Sequence, residues 1–127
     1  MDEEPLIDEE LTERILEKLN TIMEEDKVFR QPDLSLSGLA KKLDTNDKYL
    51  RYVLGKTYTS GFVSFVNQYR VEDAKRMLVE VDYDIYTVES IGQMSGFKSK
   101  SSFYTAFKEA TGKTPFQYRQ EWGKEVL

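Results

Sequence analysis

The sequence predicts an all-α fold of about seven helices, on three observations. Apolar residues recur at spacings of three and four along most of the chain. Strict two-residue alternation is absent over any useful length. Short polar residues that favour helix starts stand just ahead of each apolar stripe.

Asp8 opens the first helix, whose narrow stripe is Leu11, Ile15, Leu19, Ile22 and Met23, and Pro32 ends that segment. Ser35 opens a short helix with Leu36, Leu39, Ala40 and Leu43 inward. Asp44-Thr45 makes a tight turn, and Asn46 opens a second helix with Tyr49, Leu50, Val53 and Leu54 inward. A long amphipathic helix follows over about residues 60–80, burying Phe62, Phe65, Val66, Tyr69, Ala74, Met77 and Leu78; Asp82-Tyr83-Asp84 interrupts it. Thr87 then opens a helix with Val88, Ile91 and Met94 inward, turned at Gly96. Ser99 opens the next, which carries Phe103 and Phe107 and ends at Gly112. Thr114-Pro115-Phe116-Gln117 fits a capping box with proline at the first helical position, opening a last helix through Tyr118 and Trp122 over about 115–124. The aromatics Phe62, Phe65, Phe97, Phe103, Phe107, Tyr118 and Trp122 recur inward at helical spacing and belong to the core, not to a stacking platform for single strands.

The chain contains a duplication. Leu36, Leu39, Ala40 and Asp44 recur 52 residues later as Val88, Ile91, Gly92 and Gly96. Asn46, Leu50, Leu54 and Phe65 recur 53 residues later as Ser99, Phe103, Phe107 and Tyr118, one residue having been inserted in the second turn. Each copy is a short helix, a sharp turn and a longer helix. The small residue in the first helix (Ala40, Gly92) lets the second cross close by, and the turn residue accepts a left-handed backbone. That is helix-turn-helix geometry, with units over about 35–58 and 87–111 joined by the connecting helix. A rigid spacer of this kind is suited to setting two reading helices about one DNA turn, roughly 34 Å, apart.

Composition narrows the function. The 127 residues hold no Cys and no His, which removes thiolate nucleophiles, disulfides, the usual proton shuttle and the commonest metal ligand. No glycine-rich phosphate loop or metal-spaced cluster accompanies the carboxylates, so no catalytic residue, metal site or cofactor is expected and the chain does not read as an enzyme. Apolar stretches are short, so no membrane contact by this segment is expected. The formal net charge of −5 conceals two opposite parts. Residues 1–26 hold eleven acids against Arg14 and Lys18, or 2 − 11 = −9; residues 27–127 hold sixteen bases against twelve acids, or +4. The division expected is therefore an acidic N-terminal helix or linker over 1–30 and a basic reader over 31–127. The acidic helix is expected to weaken DNA binding by repulsion or by covering the basic face.

The second unit reads Ile91-Gly92, Gly96-Phe97, Ser99, Ser101, Phe103, Phe107-Lys108, Gly112, Pro115 and Tyr118-Arg119; the first unit and connecting helix add Leu39-Ala40, Tyr49-Leu50, Arg70, Ala74 and Leu78. In this spacing, over about residues 34–122, the chain resembles the DNA-binding region of the AraC/XylS family of bacterial transcription regulators. The resemblance implies a sequence-specific reader of double-stranded DNA in which the exposed face of each second helix meets base edges. Carried onto matching positions, the base-facing residues are Lys48, Arg51 and Tyr52 in the first unit and Lys100, Ser101, Ser102 and Thr105 in the second. Helix geometry supports the first set independently, since Lys48, Arg51 and Tyr52 lie three and four apart and away from Leu50 and Leu54. Arg51 suits a bidentate contact with guanine O6 and N7, worth about 1–3 kcal/mol of discrimination. Lys41, Lys42, Lys56, Lys98 and Lys108 are placed for phosphates, as are the helix starts at Asn46, Ser99 and Thr114.

Two departures stand out. Gly92 replaces the alanine usual in the family, loosening its helix by up to about 1 kcal/mol while keeping the close crossing. Thr105 stands where many relatives carry arginine, so the second half-site is expected to be read weakly, by serines, Thr105 and DNA shape. The family further implies RNA polymerase as a partner, a bacterial cytoplasmic location on the nucleoid when bound, and a sensor or dimerisation domain elsewhere in a longer regulator. The rival expectation is a helical protein-protein interaction module without direct DNA readout.

Overall fold

Every expected helix start is made by the side chain expected to make it. In the computed structural model, which describes residues 8–58, 61–80 and 85–123, Asp8 accepts from the Leu11 amide at 2.7 Å, Ser35 from Gly38 at 3.0 Å and Asn46 from Tyr49 at 2.9 Å. Thr87 accepts from Ser90 at 3.0 Å, Ser99 from Ser102 at 3.0 Å and Thr114 from Gln117 at 3.1 Å. Each such cap satisfies an amide that the helix itself leaves without a partner, worth about 1 kcal/mol. The resulting elements are α1 (Glu9–Glu24), a single 3-10 turn (Val28–Arg30), α2 (Leu36–Lys42), α3 (Asp47–Thr57), α4 (Phe62–Glu80), α5 (Val88–Met94), α6 (Lys100–Thr111) and α7 (Pro115–Trp122). Among the described residues there are seven α-helices and no strand, and no helix is long and apolar enough to cross a membrane. Ser60 of the connecting helix, the Asp82-Tyr83-Asp84 break and Lys124 of the last helix lie outside the described residues.

Two units divide the chain, and they are interleaved along it. The first takes residues up to Val28 and Asp33–Val66; the second takes Phe29–Pro32 and everything from Asn67 onward. In the first unit α2 and α1 both pack on α3. Its core is Ile15, Leu19, Ile22 and Met23 of α1, Leu39 and Ala40 of α2, Leu43 just after it, Leu50, Val53 and Leu54 of α3, and Phe65 and Val66 of α4. The acidic α1 is thus a load of buried apolar surface with its acids turned outward, as its narrow stripe requires. The Lys18 ammonium, also on α1, meets the Asp44 carboxylate in the helix-turn-helix turn at 2.5 Å and holds that carboxyl below its usual range.

The second unit packs α5, α6 and α7 on one another. Its core comprises Val71, Ala74, Met77, Leu78, Val88, Ile91, Phe97, Phe103 and Phe107, with Tyr86, Tyr104, Ala106 and Tyr118 against it. Aromatic rings run through it in series: Phe97–Phe103 at 5.1 Å, Phe103–Phe107 at 5.8 Å and Phe107–Tyr118 at 5.3 Å between centroids. Each buried Phe contributes about 1.5–3 kcal/mol. Gly92 makes room for this series, because a Cβ there would stand 2.3 Å from the Phe103 ring. The Phe29–Pro32 segment is fastened by polar contacts. Arg70 donates to the carbonyls of Phe29 at 2.7 Å and Gln31 at 2.9 Å, and Arg30 forks onto Asp73 with two bonds of 2.8 Å. Burial alone would raise the Asp73 carboxyl; hydrogen bonds from Arg30 and Arg76 outweigh it and hold the group below the usual carboxylate range.

Two expected core residues are outside. Met94 is 40 % exposed and Trp122 58 %. Each is the last residue of its helix, where periodicity still points inward but the packing partner has ended. Conversely Arg119, a charged residue, is only 2 % exposed and donates to the Tyr86 carbonyl.

Candidate nucleic-acid interface

In the first unit the turn that aims the reading helix is set by Asp44, whose φ of 54° is left-handed, as expected. The chain leaves it into the Asn46 cap and α3. Along α3 the apolar Leu50, Val53 and Leu54 are buried, which leaves Lys48 and Arg51 exposed on the other side. Tyr52 is half-buried, and the Lys56 ammonium lies 5.8 Å above its ring, a cation–π contact that orders both. Lys41 and Lys42, in the last turn of α2, are exposed beside the turn. At the first position of α3 stands an acid, Asp47, which accepts from the Ser37 hydroxyl of α2 at 2.5 Å.

The second unit turns at Gly96, φ 108°, into the Ser99 cap and α6. Phe103 and Phe107 point into the core, and Lys100, Ser101, Ser102, Thr105 and Lys108 are exposed, as is Lys98 just ahead of the helix. These five helix positions divide in character. Ser101 and Thr105 offer small hydroxyls. Ser102 closes a capping box, donating to the Ser99 carbonyl at 3.0 Å and accepting from the Ser99 amide at 3.3 Å. Lys100 approaches Glu89 of α5 at 3.7 Å and lies 5.3 Å over the ring of Tyr104. The amide of Thr114 is likewise occupied, by the Gln117 side chain at 3.0 Å. Any amide free to meet an anion at the starts of α6 and α7 is therefore one of the first helical turn, not that of Ser99 or Thr114. At α7 the proline at its first position removes one of these donors.

Two groups stand out among the cations. Arg14, Lys18, Arg30, Lys75, Arg76 and Lys113 each pair with a carboxylate. Lys41, Lys42, Lys48, Arg51, Lys56, Lys98 and Lys108 form no ion pair within 4.0 Å among the described residues. All seven lie on, or one turn from, the two longer helices of the duplicated units. A surface that keeps its guanidinium and ammonium groups unneutralised in this way is complementary to a polyanion. Sequence reasoning did not single out Ser37, Asp47, Glu89 or Tyr104. The duplication held the signal for three of them, since its two offsets align Ser37 with Glu89 and Asp47 with Lys100.

Comparison with known proteins bears on the family of the chain. A family described as "Helix-turn-helix domain" matches residues 39–121. An uncharacterized HTH-type transcriptional regulator of Staphylococcus aureus (strain MRSA252) is 32 % identical over 103 residues, covering 81 % of this chain and 13 % of that protein. The chain thus spans about 13 % of the length of these staphylococcal relatives. Among solved structures, the C-terminal domain of AraT, a response regulator from Geobacillus stearothermophilus, superposes with a TM-score of 0.74 at 25 % identity, over 90 % of this chain and 89 % of that one. The DNA-binding domain of AdpA, a global transcriptional factor solved with a target DNA, shares the fold with a TM-score of 0.72 at 19 % identity, over 86 % and 92 %.

Proposed function

The chain belongs to the helix-turn-helix domain family, in its AraC/XylS branch, and on that premise we propose that it binds double-stranded DNA sequence-specifically to regulate transcription. Helices α3 and α6 act as the reading helices, in successive major-groove segments. The observation that carries the reading is the set of seven cations around those two helices that form no ion pair within 4.0 Å among the described residues. Arg51 reads guanine through its fork, and Lys48 and Tyr52 flank it. Lys100, Ser101, Ser102 and Thr105 form the second reading face, Ser102 through whatever its capping role leaves free. Lys41, Lys42, Lys56, Lys98 and Lys108, with the helix starts at Asn46, Ser99 and Thr114, hold phosphates. RNA polymerase is the partner at a promoter, the bacterial cytoplasm the location with the nucleoid as the bound state, and a sensor or dimerisation domain lies elsewhere in the longer regulator. The length of the staphylococcal relative supports that last point.

Selection of bound duplexes from a random pool, followed by anisotropy titration over a salt series, tests the reading. Binding is expected to weaken steeply with salt, log K falling by about 0.9 per phosphate neutralised. Absence of salt-sensitive binding to any duplex would instead favour a protein-protein interaction module. The repulsive role of α1 is tested by replacing its exposed Glu9, Glu10, Glu13 and Glu17 with Gln, which should tighten binding at low salt. Deleting the helix is the wrong experiment, because Ile15, Leu19 and Met23 are core.

A further inference from the structure

Lys100 is the exception among the cations assigned to the interface. It alone of them has a carboxylate within 4.0 Å among the described residues, and its ammonium also rests over the Tyr104 ring at 5.3 Å. The two contacts come from different sides, Glu89 from α5 and Tyr104 from the next turn of α6. Together they give an otherwise mobile four-carbon stem a defined direction.

The equivalent corner of the first unit supplies an independent parallel. There Ser37, which matches Glu89 in the duplication, holds Asp47, which matches Lys100, at 2.5 Å. In both units a residue of the shorter helix latches the first residue of the reading helix. The first residue of each reading helix is thereby engaged, while the neighbouring Lys48 and Lys98 form no ion pair among the described residues. This matters because the amino end of a helix already attracts phosphates through its free amides and dipole, whatever the base sequence. An unpaired lysine there would add to that attraction equally on every duplex.

We infer that Glu89 is a specificity-determining residue of the DNA reader, acting through Lys100: it withholds the ammonium from phosphates and releases it only to a well-placed base acceptor. This rests on the DNA-binding reading above. The pair is exposed, 65 % at Lys100 and 49 % at Glu89, so water screens it and it is weak. That strength is enough to bias the ammonium and weak enough for a guanine edge to compete.

The test is a double-mutant cycle of Glu89→Gln and Lys100→Met, titrated on a duplex selected from a random pool and on a scrambled duplex of the same length. Circular dichroism verifies that each variant keeps its helix content. Glu89→Gln should tighten binding to the scrambled duplex by about two- to fivefold at low salt, steepen its salt slope by about 0.9, and lower the ratio of selected to scrambled affinity. In the Lys100→Met background the same substitution should change scrambled binding by less than about twofold. Equal tightening in both backgrounds would show that the carboxylate merely repels DNA, and no tightening in either would show that it does nothing; each overturns the inference while leaving the DNA-binding reading intact. If no variant and not the parent binds any duplex, the DNA-binding reading fails and this inference falls with it.

Discussion

At the sharp turn of the first helix pair stands Asp44, left-handed at φ 54°; at the same place in the second stands Gly96, at 108°. A left-handed conformation costs an L-residue about 1–2 kcal/mol, and Asp is among the few that tolerate it. The first unit holds its Asp with Lys18 from α1. The second has no such latitude, since a Cβ on Gly96 would stand 2.3 Å from the Phe29 carbonyl oxygen. A similar contrast runs through the crossing of the two helices. Ala40 faces the first crossing and Gly92 the second, while their counterparts in the longer helices are Leu50 and Phe103. What the second unit removed from one helix it added to the other. Two copies of one motif have thus kept the volume at the crossing and a left-handed residue at the turn, on different side chains.

The comparison is broken most severely at the second turn. Gly96→Ala should lower thermal or denaturant stability by about 3 kcal/mol, combining left-handed strain with backbone overlap. Next, Gly92→Ala should lose about 2 kcal/mol by displacing the buried Phe103 ring. Adding Phe103→Leu should then cost less than it does in the parent, giving the cycle a coupling energy of about 1 kcal/mol. Strict additivity would refute the idea of exchanged volume. On DNA, Arg51→Ala should weaken binding to a selected duplex by about tenfold or more, whereas Thr105→Ala should stay within about threefold. Equal information in the two half-sites of a selected pool would overturn that asymmetry. Asp44→Gly should have the smallest effect, leaving the unfolding midpoint nearly unchanged, because relief of left-handed strain offsets loss of the exposed Lys18 pair.

Much of this was legible in the sequence because it is local. The caps at Asp8, Ser35, Asn46, Thr87, Ser99 and Thr114 depend on a side chain and an amide three residues on, so a short window contains all the chemistry. Buried positions in mid-helix follow from periodicity for the same reason. Met94 and Trp122 show where periodicity fails, at helix ends whose neighbours are chosen by tertiary packing. Pairings between elements were out of reach. Nothing near Lys100 in sequence points to Glu89, and nothing near Asp73 points to Arg30, 43 residues away. The candidate site was readable as a list of exposed cations, but not as a list of which were already engaged.

The order in which the chain visits its two units bears on how such a reader can be inherited. Because Phe29–Pro32 belongs with residues from Asn67 onward, while the stretches on either side of it belong together, no single cut in the gene yields either half intact. A fragment beginning at Asn67 would strand the Asp73 carboxylate without Arg30 and leave Arg70 without the carbonyls of Phe29 and Gln31. The motif was copied, yet the second copy is completed by a tetrapeptide that precedes the first along the chain. Recombination can therefore move the pair as one heritable block and cannot trade one reading helix-pair for another by simple crossover.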